Sequence, residues 1–342
     1  MHSLTLLVPG LLGPDVRITE DFVPEVPALK LILARADHNR HRSRGVHHSI
    51  AGLFDQEQAL SSDVPVAAVS RLNDNEHDTR GLWIRADPVH LSPDRDRLVL
   101  MDSFVLNLTQ HDALAVANEV NQVISVHGWS VEVPYEDRWY IRLDEELSIS
   151  TTELPRVVGQ DISGYLPVGD DASMMHTLLN EIQMHLFSSD INRMREEKGE
   201  LPVNSIWFWG MGRLPDPPGK NWSKVFSDDT FTRSLAGLAG IPCHAVPQHV
   251  LGIQEFCGED DDVLVYLQHC QAPTQYQNLE LWNQALLLLE GAWFETLLQW
   301  LRTGRLDSLR IICDDHDFMV SRFKLKKFWR KPVAINNYNF NR

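Results

Sequence analysis

The chain has 342 residues, 47 acidic against 31 basic side chains, a formal net charge of −16 and 43% hydrophobic residues. That length supports one large hydrophobic core or two modest ones. An acidic balance of this size argues against nonspecific binding to nucleic acid or anionic lipid, which depends on Lys and Arg neutralising phosphates, and the basic stretch Arg40 to Arg44 is too short to reverse it.

In chain order, Leu4 to Val8 is a mostly apolar run stopped by Pro9-Gly10, the pattern of a buried parallel strand. Residues 27–36 read as a short helix. Arg40 to His48 follow as a basic, histidine-rich loop, either simply solvated or open to an anion, with Ser43 and Ser49 as the nearby hydroxyls. From about Val64 the pattern changes. Residues 81–90 and 98–102 read as strands around a turn at Ser92 to Asp96, and Thr109 caps a helix whose apolar face includes Ala113, Val116, Ala117 and Val120. Two more strands follow at 129–133 and 138–143. Antiparallel strands with a helix make a small α+β unit.

Met174 through Arg195 reads as one long helix. Ser205 to Trp209 then reads as the central strand of a doubly wound sheet, ending in Gly210-Met211-Gly212-Arg213. Those glycines are either plain turn residues or, with the Arg213 guanidinium, a cradle for an anion. Asp228-Asp229 caps a helix over 231–238, and Val263 to Leu267 is another parallel-type strand. Leu279 to Arg302 is the clearest helix. Leu309 to Cys313 is a strand running into Asp314-Asp315-His316-Asp317, donors suited to a metal or to capping. The four cysteines form no C-x-x-C pair, the N-terminus lacks a signal-peptide plan, and no apolar run approaches membrane-spanning length. The expectation is a cytoplasmic protein with reduced cysteines and neither membrane nor nucleic acid as partner.

Asn204-x-Ile206-Trp207-x-Trp209-Gly210-x-Gly212, followed by the late Asp315-His316, resembles the archaeal-type cofactor-independent phosphoglycerate mutases of the alkaline phosphatase superfamily. It also resembles the RpfE-type regulatory proteins, a degenerate branch of the same ancestry. The resemblance implies an α/β fold: an alkaline-phosphatase-like doubly wound core sheet from residues 1–63 and 200–342, with residues 64–199 inserted as a smaller α+β cap. It also implies a site. Arg85 stands where the mutases hold substrate phosphate, with Asp87 replacing an asparagine, and Arg193 falls among their substrate contacts, so Arg85, Arg193, Gly210, Gly212 and Arg213 form the expected ligand-binding set. Asp315 and His316 match metal ligands. Pro9, Thr274 and Asn278 stand where the family carries Asp, Asp and His, and Lys327, Phe328 and Trp329 precede Pro332-Val333 where it carries a last histidine. Asp315 and His316 are therefore read as vestigial, no cofactor is expected beyond a weakly held manganese or zinc, and no catalytic residue is assigned. The leading expectation is a catalytically degenerate regulatory protein that binds a partner or ligand. An active mutase or phosphatase, and a non-catalytic binder of a phosphorylated metabolite, are the alternatives.

Overall fold

The computed structural model describes residues 1–14, 24–41, 44–55, 63–74, 81–219 and 221–340. Two compact units divide the chain, one made of Met1–Ser49 with Pro218–Arg342 and the other of Ile50–Pro217. The strands in order are β1 (Ser3–Leu7), β2 (Asp37–Arg40), β3 (Leu82–Asp94), β4 (Arg97–Met101), β5 (Val131–Tyr135), β6 (Arg138–Leu143), β7 (Ile149–Ser150), β8 (Val168–Gly169), β9 (Ser205–Arg213), β10 (Lys224–Phe226), β11 (Cys243–His244), β12 (Asp262–Tyr266), β13 (Ser308–Cys313) and β14 (His316–Ser321).

The first unit carries a seven-stranded sheet in the order β11-β10-β12-β1-β13-β14-β2. β1 lies between β12 and β13, parallel to both, and its Leu4 and Leu6 are fully buried, as a strand covered on both faces requires. β13 then reverses through Asp314-Asp315 into the antiparallel β14, and β2 pairs antiparallel with β14. Asp314 has φ +50, which a tight reversal asks of one of its residues. The acidic segment after β13 is therefore a hairpin whose second strand begins at His316.

The helix expected over 279–302 runs from Leu279 to Thr303, capped by the Asn278 side chain, which accepts from the Leu281 N–H at 3.0 Å, and closed by Gly304 at φ +78. Glu290–Phe294 within it form a π-turn. That turn has a visible use. The helix Pro27–Arg35 starts on Val26, which offers no side-chain cap, and the buried Glu290 carboxylate accepts from the Ala28 and Leu29 N–H groups at 2.5 and 3.0 Å. A carboxylate distant in sequence thus satisfies the helix start that the local sequence leaves open. Glu290→Ala should lower stability by about 2–3 kcal/mol, because two buried donors lose their acceptor. Urea unfolding that finds the variant as stable as its parent would sink this account.

The second unit is built on a five-stranded antiparallel sheet, β4-β3-β6-β5 with β9 on β3. The helices Gln110–Ile124 and Ala172–Phe187 contribute to its core with Trp139, Ile141, Ile206 and Phe208. Here the sequence reading needs correction: β9 is not a central strand of the parallel sheet, but pairs antiparallel with β3 from Val89↔Ser205 to Leu82↔Arg213. Pairing with β3 carries residues 200–217 into the second unit, and the Asp63 carboxylate, which accepts from the Thr151 N–H at 2.9 Å, ties in the other end. The boundaries therefore fall at 49/50 and 217/218 instead of 63/64 and 199/200. The expected helix over 174–195 is also broken, into Ala172–Phe187 and Asp190–Glu197. The buried Asn192 explains the break: its amide donates to the Leu186 and Val203 carbonyls at 2.9 and 2.8 Å and accepts from the Val203 N–H at 2.9 Å, a grip a straight helix would not allow.

Candidate functional site

In a parallel sheet the chemistry sits at the carboxyl ends of the strands, and in the first unit β1 ends there in Pro9-Gly10. The Gly10 carbonyl accepts from the Thr274 hydroxyl and from the Trp282 indole N–H, both at 3.0 Å, while its N–H donates to the Asp314 carboxylate at 3.0 Å. Gly10 has φ +74, and a Cβ on it would lie 2.6 Å from both the Cys270 carbonyl and Thr274 Oγ1, so only glycine fits. Two positions of the expected metal set are thereby assigned other work. Thr274 holds the β1 loop, and Asn278 caps a helix.

Asp315 and His316 lie beside this knot in sequence but form a different arrangement. Asp315 Oδ2 pairs with the Arg40 guanidinium at 2.5 Å. The buried His316 ring stacks on His38 at 4.9 Å between centroids, with Nδ1 2.8 Å from His38 Nε2, and His38 stacks in turn on Phe318. Burial pushes the His316 imidazole down to about 4. Among the described residues His316 Nε2 has no hydrogen-bond partner, and it lies 3.0 Å from Asp315 Oδ1, so these two atoms could share one ion. Among the described residues no group of three His, Cys, Asp or Glu side chains converges to hold a metal. The described residues therefore do not fit a two-metal centre, whose ions each need about four ligands. Ser49 donates to the Gly45 carbonyl at 3.1 Å, and Arg42 and Ser43 of the basic loop lie outside the described residues.

The second unit holds the expected ligand-binding residues, and it does not bring them together as donors to an anion. Arg85 is buried, its Nε and Nη2 donating to Asp87 Oδ1 at 2.9 and 2.8 Å. Asp87 also accepts from the Trp139 N–H at 3.0 Å and the Trp209 indole at 2.7 Å, so one carboxylate ties β3, β6 and β9. Burial pushes its carboxyl up, and Arg85 works against that shift. Arg193 is exposed and pairs with Asp190 one turn back at 3.0 Å.

Gly210 and Gly212 are not in a loop. Both lie within β9, where the register slips opposite Trp83 and Arg85. Gly210 has φ +62, and its N–H donates to Thr151 Oγ1 at 3.2 Å. A Cβ would meet Val66 at 2.9 Å on Gly210 and Pro65 at 2.5 Å on Gly212, so the glycines admit a close backbone approach at a bulge. Arg193 and Arg213 are both exposed, and of the two only Arg213 has no ion pair among the described residues. A cavity of about 270 Å³ in this unit is lined by Leu91, Leu98, Ile162, Leu166 and Trp207 with His176, Asn180 and Gln183, and none of the expected arginines reaches it.

An α/β core with a hydrogen-bonded loop knot at the carboxyl end of its middle strand is the class these observations define. No family model matches the chain. A 133-residue stretch, 38% of the chain, is 27% identical to a probable 2,3-bisphosphoglycerate-independent phosphoglycerate mutase of Geobacter sulfurreducens, and a 62-residue stretch, 18% of the chain, is 37% identical to the 2,3-bisphosphoglycerate-independent phosphoglycerate mutase of Methanothrix thermoacetophila. These matches span 33% and 16% of the relatives' own lengths. The solved structure of the PH0037 protein from Pyrococcus horikoshii superimposes with a TM-score of 0.51 at 12% identity, over 94% of this chain and 87% of that one. Over these stretches the chain is similar to cofactor-independent phosphoglycerate mutases, and its fold is of the expected mixed α/β class with a central sheet.

Asp87→Ala should destabilise the protein by about 3–5 kcal/mol, because it leaves Arg85 buried without its counter-charge. Arg213→Ala should stay within about 0.5 kcal/mol of the parent, as exposed substitutions do. Denaturant midpoints that moved equally for the two would contradict the assignment of one residue to the architecture and the other to the surface.

Proposed function

We propose that this chain is a non-catalytic relative of the cofactor-independent phosphoglycerate mutases, of the RpfE-type regulatory kind, which acts in the cytoplasm by binding a partner or small ligand. The observation that carries the reading is the knot on Gly10. Phosphoryl transfer by these enzymes needs a metal cluster to neutralise phosphate oxygens. Here Thr274 and Trp282 donate to one peptide carbonyl, Asn278 caps a helix, Pro9 offers no donor and Arg40 engages Asp315. Asp315 and His316 amount to a weak site for one manganese or zinc ion at most.

Purified protein should carry well under one equivalent of either metal and should not interconvert 2- and 3-phosphoglycerate. Stoichiometric metal with activity lost in Asp315→Ala would overturn the proposal. A second reading, a binder of a phosphorylated metabolite, is favoured by the exposed Arg213 with no ion pair among the described residues. It requires that 3-phosphoglycerate raise the melting temperature and that Arg213→Ala remove the shift. No shift in the parent eliminates it.

A further inference from the structure

The net charge conceals a local reversal. None of the 47 Asp and Glu residues lies in residues 318–342, whereas seven of the 31 Lys and Arg do, and six of those fall in Arg322 to Lys331. The structure sorts this segment into two rows. Lys324, Lys327 and Arg330, three residues apart, converge on Asp37 at 2.9, 3.2 and 3.0 Å and hold its carboxyl well below the usual carboxylate range. Arg330 also donates to the Ala36 carbonyl at 2.6 Å, and Leu325 packs against the core. The inner row fixes the segment to the first unit.

The outer row is exposed and holds three cations and three aromatic rings: Arg322, Phe323, Lys326, Phe328, Trp329 and Lys331. Phe323, Phe328 and Trp329 are 77%, 79% and 65% exposed, and Val333 beyond them is 40% exposed. Large rings left in water this close together mark a surface that is covered in use. The interleaved cations, with no carboxylate in the segment, call for an anionic cover.

We propose that this face docks on an anionic phospholipid surface, with Phe323, Phe328 and Trp329 entering the headgroup region and Arg322, Lys326 and Lys331 meeting lipid phosphates. Aromatic rings settle at that interface and juxtamembrane cations are drawn to anionic headgroups. Nucleic acid is the competing polyanion, but single strands bind in a basic groove whose ring faces are open for successive bases to stack on. Phe328 and Trp329 meet edge to face at 80°. The acidic remainder of the chain does not forbid docking, since its charges beyond about 8 Å are screened at physiological salt. No helix among the described residues is long and apolar enough to cross a membrane, so the contact is peripheral. The inference goes beyond the mutase-like reading and stands on separate residues.

The test is co-flotation of the full chain with vesicles of phosphatidylcholine alone or with about 30% phosphatidylserine. Binding should be about tenfold stronger on the anionic vesicles and weaken as salt rises. The Lys326→Glu/Lys331→Glu variant should lose it, and Phe328→Ala/Trp329→Ala should lose most of it, with melting temperatures of both unchanged because all four side chains are exposed. Equal affinity for the two vesicle types, full binding by the charge-reversed variant, or retention of a single-stranded oligonucleotide in place of vesicles would each overturn the proposal.

Discussion

The backbone of Gly10 is the point on which the strand-end loops of the first unit depend. Its carbonyl and N–H face partners from three distant segments, Thr274, Trp282 and Asp314, at the end of the sheet's middle strand. Polar groups withdrawn from water must be matched, and each match here joins a loop to β1. Metal ligands could not easily be restored. An aspartate at position 274 would set a carboxylate, which cannot donate, against the Gly10 carbonyl, and Gly10 itself admits no side chain.

The second unit meets the same constraint differently. A buried guanidinium requires a nearby anion, and Asp87 supplies one on the same strand. Once the carboxylate is present it also takes the Trp139 N–H and the Trp209 indole, so the pair becomes the joint of three strands. An arginine that would hold phosphate in a mutase has its counter-charge built in. In each unit a protein group takes up a polar atom of the expected site: the Gly10 carbonyl is held by Thr274 and Trp282, and the Arg85 guanidinium by Asp87.

The elements whose identity rests on short-range pattern were legible in the sequence. The apolar runs at β1, β12 and β13, the Thr109 and Asp229 caps and the Gly304 stop all describe local physics, and the structure has them. Pairing partners were harder. The Ser205–Trp209 run is buried on both faces, and burial cannot distinguish a parallel core strand from an antiparallel one covered by helices. The glycines of β9 carried a usable signal, since glycine inside a strand marks a bulge or a close approach as often as a turn. Asn192 and Glu290 gave none, because their bonds run to segments that sequence spacing does not bring together.

Charge shows the same difference between an average and a position. The total of −16 argues against anionic partners only if charge is evenly spread, and the carboxylates stop at Asp317. Past that point one acid, Asp37, reaches over from β2 and pairs with the row at 324, 327 and 330. With Lys324, Lys327 and Arg330 held on Asp37 and Leu325 packed against the core, Phe323, Lys326, Phe328 and Trp329 are left in water. The aromatic face is thus a consequence of how the segment is held, and any substitution at Asp37 would disturb both rows together.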